Sequence, residues 1–210
     1  MNAQTEISSV QGPVGLIEIA IDRPPDVTPH GVAVIAHPHP LFGGTLDNKV
    51  VQTLARAFTQ SGWTAVRFNF RGVGATAGVH DEGRGELADL LAVVANCAPD
   101  GRLALAGFSF GAFVTTHAHA ALLPSRAIDK LVLVGTSVSR SAAAPVAPSA
   151  HLSALVLHGE MDDTVTLAAV LDWARPQSLP VTVIPGGGHF FHGQLPLLKS
   201  LVQRHLADAV

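Results

Sequence analysis

The chain has 210 residues, which is enough for one domain with a substantial core, and we expect residues 1–210 to form a single domain. Hydrophobic residues make up 48% of it and charged residues 14%, yet no apolar run approaches the roughly 20 residues that cross a bilayer, so we expect no membrane span. The net charge of −3 and the scattered basic residues exclude a nucleic-acid-binding protein of the usual basic kind.

The N-terminal part of the chain predicts two strands and a helix. Val14–Ile21 alternates loosely before a turn-rich stretch, which favours an early strand that could lie at a sheet edge. The β-branched run Gly31–Ala36 is typical of a buried strand. Apolar residues at helical spacing follow, in a helix that Asp47 or Asn48 can cap and that Gly62 closes.

Strands and helices continue to alternate along the rest of the chain. Apolar runs predict strands at Thr64–Phe70, Leu103–Ala106, Leu131–Val134, Ala154–Leu157 and Val181–Ile184. Helices are predicted at Gly85–Cys97, in the Ala-rich segment that ends near Ala121, around Thr166–Trp173 and at Leu195–Leu206. Such alternation predicts an α/β fold, a three-layer sandwich with a mostly parallel sheet and helices on both faces.

A five-residue pattern lies between the strand and the helix in the middle of the chain. Gly107-Phe108-Ser109-Phe110-Gly111 has the form G-x-S-x-G, which in a strand–turn–helix context predicts a nucleophile elbow. The turn must be tight enough to expose the serine, and a Cβ at either flanking glycine would collide with a neighbouring strand or helix. The pattern therefore makes Ser109 the candidate nucleophile.

Other reactive side chains also follow apolar runs. His37–Gly44, Ser109, Asp162 and His189 each come directly after a predicted strand. In open parallel sheets, ligands bind beyond the carboxyl ends of the strands, so these residues should meet at one edge. A serine needs a neutral imidazole as base and a carboxylate behind that imidazole, and the chain supplies them in the order Ser109, Asp162, His189.

Three further motifs carry a resemblance to a known family. His37–Lys49 reads HPHPLFGGTLDNK, Arg67–Gly74 reads RFNFRGVG and His158–Val165 reads HGEMDDTV. With the elbow, they resemble the α/β-hydrolase superfamily, in particular its small lidless serine-hydrolase subgroup with the H-P-H-P-x-x-G-G motif. The resemblance implies an α/β-hydrolase sandwich with no cap domain and a Ser109–Asp162–His189 triad that works through an acyl-enzyme. Its H-G-x-x-D spacing selects Asp162 over the adjacent Asp163, for which a turn or capping role is expected.

The negative oxygen of a tetrahedral intermediate needs preorganised N–H donors. The N–H of Phe110, directly after the nucleophile, is one candidate. The second should come from the loop after Gly31–Ala36, in which the two prolines have no N–H. Leu41 lies where the resembled family places its donor and is preferred, with His39 as the second choice.

The expected activity is hydrolysis of carboxylic esters with short to medium acyl chains, a carboxylesterase reaction on a small-molecule ester that requires no cofactor and no metal. The substrate-binding candidates are His39, Phe42, Phe108 and Phe190, although each phenylalanine could instead pack in the core. Arg71 could bind a substrate carboxylate or cap nearby carbonyl groups.

Alternatives remain open at this point. The same triad could serve a peptidase, an amidase or a thioesterase. His37-x-His39 after a strand resembles the ligand pair of metal-dependent hydrolases, and the fold could also be a non-catalytic scaffold. The lone Cys97 and an N-terminus without a secretory pattern favour a cytoplasmic location, for a monomer or a homodimer.

Overall fold

Eight strands form one sheet in this computed structural model, which describes residues 5–25, 27–139 and 142–207. In chain order they are β1 (Glu6–Gly12), β2 (Gly15–Asp22), β3 (Val32–Ala36), β4 (Thr64–Phe68), β5 (Leu103–Phe108), β6 (Lys130–Val134), β7 (Ala154–Gly159) and β8 (Val181–Ile184). Across the sheet the order is β1-β2-β4-β3-β5-β6-β7-β8. The strands from β4 to β8 in that order are all parallel, whereas β1 and β2 are antiparallel additions.

Helices cover both faces of the sheet and complete the predicted three layers. They are α1 (Lys49–Gln60), α2 (Arg84–Cys97), α3 (Phe110–Leu122), α4 (Leu167–Ala174) and α5 (Leu195–Leu206). The apolar sides of α1 and α5 pack on one face, and those of α2, α3 and α4 pack on the other. Side chains alternate between the two cores along each strand: Ala33 and Ile35 face α1, while Val34 and Ala36 face the opposite side. A sheet buried on both faces accounts for the apolar composition.

The early strand does not lie at the edge of the sheet, and this corrects one expectation. β2 lies between β4 and an unexpected first strand, β1, with which it pairs from Glu6↔Ile21 to Gly12↔Gly15. Most side chains of β1 are exposed, so the strand lacks the apolar alternation by which a half-buried strand is recognised.

The position of β5 beside β3 creates the crevice that holds the site. The chain passes from β3 outward to β4, then crosses back to β5 on the other side of β3. Loops that leave β3 and β5 therefore diverge, which is the arrangement in which open α/β sheets bind ligands. Ser109 follows β5 directly, and the loop that begins at His37 follows β3.

The connection between β6 and β7 is short and is tied to the body of the protein. The Ala144 N–H donates to Thr116 Oγ1 at 3.0 Å, and the Val146 N–H donates to Gln177 Oε1 at 2.8 Å. Within the described part of this connection, the regular structure is a single 3-10 helix at Pro148–Ser153. No helix of the described segments combines the length and the apolar character that a bilayer crossing requires.

Candidate active site

Ser109 lies at the turn between β5 and α3 with an unusual backbone conformation. Its φ of 56° and ψ of −117° are costly for a residue with a Cβ, and they are held by hydrogen bonds on both sides. The Ser109 N–H donates to the Val134 carbonyl at 2.8 Å, and the Ser109 carbonyl accepts from the N–H groups of Phe113 at 3.1 Å and Ser137 at 3.2 Å. The end of β6 and the first turn of α3 thus hold the serine in a strained position, as an elbow requires.

The two glycines that flank the elbow are required by close backbone contacts. A Cβ on Gly107 would lie 2.5 Å from the Gly111 carbonyl oxygen in the following helix. A Cβ on Gly111 would lie 2.4 Å from the carbonyl oxygens of Ala36 and His37, at the end of β3. These are the helix and strand collisions expected from the sequence, and they let α3 begin directly above the sheet.

Three predicted residues from separate loops meet at the carboxyl edge of the sheet. His189 Nε2 lies 3.0 Å from Ser109 Oγ, and His189 Nδ1 lies 2.7 Å from Asp162 Oδ2. All three side chains are largely buried. The arrangement lets the imidazole accept a proton from the hydroxyl on one side while the carboxylate stabilises the positive charge on the other.

The loop after β7 leaves one carboxylate oxygen for the histidine. Asp162 Oδ1 accepts from the N–H groups of Thr164 at 3.0 Å and Val165 at 2.8 Å, and Oδ2 is directed to His189. Burial acts to raise the pKa of Asp162, but hydrogen bonds from His189 and Val165 outweigh it and hold this pKa below its usual value. The adjacent Asp163 is exposed and accepts from the Thr164 hydroxyl at 3.3 Å.

A second histidine lies behind the carboxylate. His158, fully buried at the end of β7, places Nε2 2.9 Å from the Val165 carbonyl and 3.7 Å from Asp162 Oδ2. Burial lowers the pKa of His158, which keeps this ring neutral at physiological pH. The ring therefore supports the Asp162–Val165 turn through the backbone, as expected for a histidine at a strand end.

The loop after β3 is anchored by His37. Its fully buried ring places Nδ1 2.6 Å from the Pro38 carbonyl and Nε2 3.0 Å from the Phe70 nitrogen. Since a carbonyl only accepts and an N–H only donates, the ring must be neutral with its proton on Nδ1. Both ring nitrogens are thus engaged, so the geometry does not support the metal-ligand pair considered for His37 and His39.

Burial of His37 predicts a dependence of stability on pH. Burial lowers the pKa of His37 to about 4, against about 6.5 for an ordinary histidine. Between these values the unfolded chain binds the proton and the folded chain does not, so stability is lost as pH falls from about 6.5 through about 4. The difference corresponds to about 3 kcal/mol of unfolding free energy. The free energy of unfolding by urea, measured for the wild type and for His37→Asn between pH 7.5 and pH 4.5, tests this pH dependence.

His37→Asn should be less stable than the wild type at pH 7.5, because the Phe70 N–H loses its acceptor. Its free energy of unfolding should, however, fall less steeply than that of the wild type as the pH is lowered. His192→Asn, at an exposed histidine, is the control and should keep the wild-type slope. Equal slopes in His37→Asn and the wild type would contradict this assignment.

The proposed oxyanion donors lie at the start of α3 and in the loop after β3. Phe110 is the first residue of α3, where an N–H has no acceptor one turn earlier in the helix. The Leu41 N–H donates to His39 Nδ1 at 3.2 Å, within a 3-10 helix at Pro40–Phe42. Leu41 can therefore turn its N–H to a substrate oxygen only if the His39 ring releases it.

A cavity of about 380 Å³ opens above the serine. It is lined by Pro38, His39, Phe42, Gly43, Gly44, Asn48, Ser109, Thr164, His189 and Phe190. Phe42 is 74% exposed and Phe190 46% exposed, so both form an apolar rim open to solvent. The predicted substrate-binding residues His39, Phe42 and Phe190 all line this cavity.

Phe108 is the exception among the predicted substrate-binding residues. Its side chain is fully buried in the core, with its ring centroid 5.0 Å from that of His189 and 5.8 Å from that of Phe190. Phe108 lies in β5 itself, its side chain points into the core, and its ring packs against the rings of His189 and Phe190. The expectation that Phe108 contacts substrate is therefore corrected.

A second cavity, of about 520 Å³, lies on the other side of the His39 ring. It is lined by His39, Leu41, Phe42, His80, Glu82, Phe110 and Ser137. The His39 ring lies 4.8 Å, centroid to centroid, from each of Phe42, His80 and Phe110. His39 and Phe42 line both cavities and form the wall between them.

Arg71 does not face either cavity. Its Nε and Nη2 donate to the two carboxylate oxygens of Asp89 at 2.9 and 2.8 Å, in a buried pair that joins the loop after β4 to α2. The sequence predicts only a capping role for Asn48 and no role for Thr164, although both line the cavity. The available signal for Asn48 was its place in the H-P-H-P-x-x-G-G-x-x-x-N-K motif, four residues after Gly44 in the β3 loop.

Comparison with known proteins gives relatives over nearly the whole chain. XC6422 from Xanthomonas campestris, an α/β serine hydrolase without a lid, is 38% identical over 98% of this chain and 95% of its own, with a TM-score of 0.86. An α/β serine hydrolase homologue from Coxiella burnetii is 38% identical over 96% of this chain and 97% of its own, with a TM-score of 0.82.

A shorter match is to the uncharacterised protein RP471 of Rickettsia prowazekii, which is 41% identical over 88 residues. That match spans 40% of this chain and only 37% of the Rickettsia protein. No protein-family model matches the chain.

Proposed function

Because the chain belongs to the lidless α/β serine hydrolases, we propose that it cleaves carboxylic esters of short to medium acyl chain length through a Ser109–His189–Asp162 triad. The observation that supports the proposal most directly is the pair of contacts at His189, 3.0 Å to Ser109 Oγ and 2.7 Å to Asp162 Oδ2. Two contacts of this length to a nucleophile and an orienting carboxylate are what acyl transfer requires.

In the proposed first half-reaction, Ser109 Oγ attacks the ester carbonyl carbon while His189 Nε2 takes the hydroxyl proton. The N–H groups of Phe110 and of Leu41, or of His39 in place of Leu41, donate to the negative oxygen of the tetrahedral intermediate. The bond to the alcohol oxygen then breaks, and His189 returns the proton to the departing alcohol. The acyl group remains on Ser109.

In the second half-reaction, water attacks the acyl carbon and gives its proton to His189. The bond to Ser109 Oγ breaks, His189 returns the proton to that oxygen, and the carboxylic acid leaves. The same backbone N–H groups donate to the negative oxygen in this half-reaction. Asp162 remains ionised throughout, in keeping with its lowered pKa.

Peptidase, amidase and thioesterase activities of the same triad are the alternatives that an experiment must separate from the ester reaction. The test uses an ester, a thioester and an anilide of one acid, with trapping of the acyl-enzyme by mass spectrometry. We expect the ester to give the highest kcat/KM and a mass increase of one acyl group on Ser109. A higher kcat/KM for the anilide or the thioester would overturn the ester assignment. If no acyl group is trapped and no substrate is cleaved, the fold serves as a scaffold.

A further inference from the structure

Asn48 caps α1 with one end of its side chain only. Its Oδ1 accepts from the N–H groups of Val50 at 2.9 Å and Val51 at 3.4 Å. These two donors fix the orientation of the amide, because an NH₂ group in the same position could not accept either bond. The carbonyl side therefore faces the helix, and the Nδ2 group points away from it.

The same side chain belongs to the wall of the cavity above Ser109. Within the described part of the chain, Asn48 Nδ2 donates no hydrogen bond, so its two N–H groups are available to a ligand. An N–H donor left without an acceptor when a substrate displaces water costs free energy. The cavity thus favours a substrate that brings an acceptor to Asn48.

The rest of the lining indicates that this acceptor is neutral. Apart from the two histidines, the described lining contains no ionisable side chain, and Phe42 and Phe190 make much of the wall apolar. A carboxylate or an ammonium group would enter this cavity without a fixed charge of opposite sign, which is unfavourable. A carbonyl, ether or hydroxyl oxygen can accept from Asn48 without that cost.

We propose that Asn48 is a specificity residue: its Nδ2 group donates a hydrogen bond to a neutral oxygen in the half of the ester that fills this cavity. The inference rests on the proposed ester hydrolysis and narrows its substrate class, from plain alkyl esters to esters that carry a further carbonyl, ether or hydroxyl oxygen. Selection acts through the Nδ2 donor, while Oδ1 continues to hold α1.

The test compares isosteric pairs of esters with and without the oxygen. On the acyl side the pair is para-nitrophenyl levulinate and para-nitrophenyl pentanoate, and on the alcohol side it is methoxyethyl acetate and butyl acetate. Asn48→Asp is the informative variant, because aspartate caps a helix as well as asparagine but offers an acceptor in place of the donors. Thr166→Asp is the matched control, since it places the same residue at the cap of α4, outside the cavity lining.

We compare kcat/KM for the oxygen-bearing ester with kcat/KM for its plain partner. In Asn48→Asp this ratio should fall about tenfold for the pair whose varied half, acyl or alcohol, lies in this cavity. Thr166→Asp should keep the wild-type ratio in both pairs. Unchanged ratios in Asn48→Asp would overturn the inference, and so would an equal loss on both members of each pair.

Fluorophosphonate labelling of Ser109 distinguishes failure of the proposed function from failure of the role proposed for Asn48. Labelled, ester-cleaving protein with unchanged ratios leaves the proposed function standing and removes only the role of Asn48. Protein that is neither labelled nor active on any of the four esters removes both.

Discussion

Ser109→Ala is expected to lower kcat on an activated short-chain ester by a factor on the order of 10⁵–10⁶. The Ser109 hydroxyl lies 3.0 Å from His189 Nε2, in position to attack a bound carbonyl, and alanine has no group to replace it. Alanine keeps the Cβ and the backbone bonds of the elbow, so the variant should fold like the wild type. The measurements are the hydrolysis rate, fluorophosphonate labelling and the circular dichroism spectrum.

Ser125→Ala removes an exposed hydroxyl that donates to the Leu122 carbonyl at 3.1 Å, and it serves as the control. This variant should hydrolyse and label like the wild type. Retention of wild-type hydrolysis in Ser109→Ala would remove Ser109 as the nucleophile and would direct attention to the metal-dependent or scaffold alternatives.

Asp162→Asn is expected to lower kcat by about 10⁴-fold while the protein remains folded. Asparagine Oδ1 can still accept from the Thr164 and Val165 N–H groups, which leaves the NH₂ group facing His189 Nδ1. An NH₂ group only donates, so it selects the tautomer with the proton on Nε2. That nitrogen then cannot accept the Ser109 proton, and the base is lost without any change in shape.

The neighbouring Asp163→Asn is the matched control, because it makes the same chemical change one residue away at an exposed side chain. Its activity should stay close to that of the wild type. A large loss in Asp163→Asn with little change in Asp162→Asn would reverse the assignment of the acid.

The layers of the fold and the meeting of the candidate site at one edge could be predicted from the sequence because they depend on local patterns. Apolar runs mark the central strands, and parallel strands bring their carboxyl ends together, so Ser109, Asp162 and His189 could be grouped before any coordinates. β1 could not be predicted, since its exposed side chains carry no alternation and its pairing with β2 depends on a tertiary edge.

Single side chains at the site were harder to predict than the elements that carry them. Phe108 and Phe190 are both aromatic and both close to a predicted triad residue in sequence, yet only Phe190 reaches the cavity. The difference lies in the pleat of β5, which turns Phe108 into the core. Arg71 likewise forms its ion pair within the protein, with Asp89. Whether a charged side chain is already paired depends on residues that are distant in sequence, so this pairing could not be predicted from the motif.

The tethered connection between β6 and β7 has a consequence for the fate of the acyl group. Thr116 and Gln177 hold this segment by hydrogen bonds to its backbone, and the rim formed by Phe42 and Phe190 stays exposed. Enzymes that transfer acyl groups to another alcohol must keep solvent away from the covalent intermediate, which closure of a lid achieves. With the described part of this connection tethered and the rim exposed, water has ready access to Ser109, so under the proposed function we expect hydrolysis of the acyl-enzyme to exceed transfer of the acyl group to another alcohol.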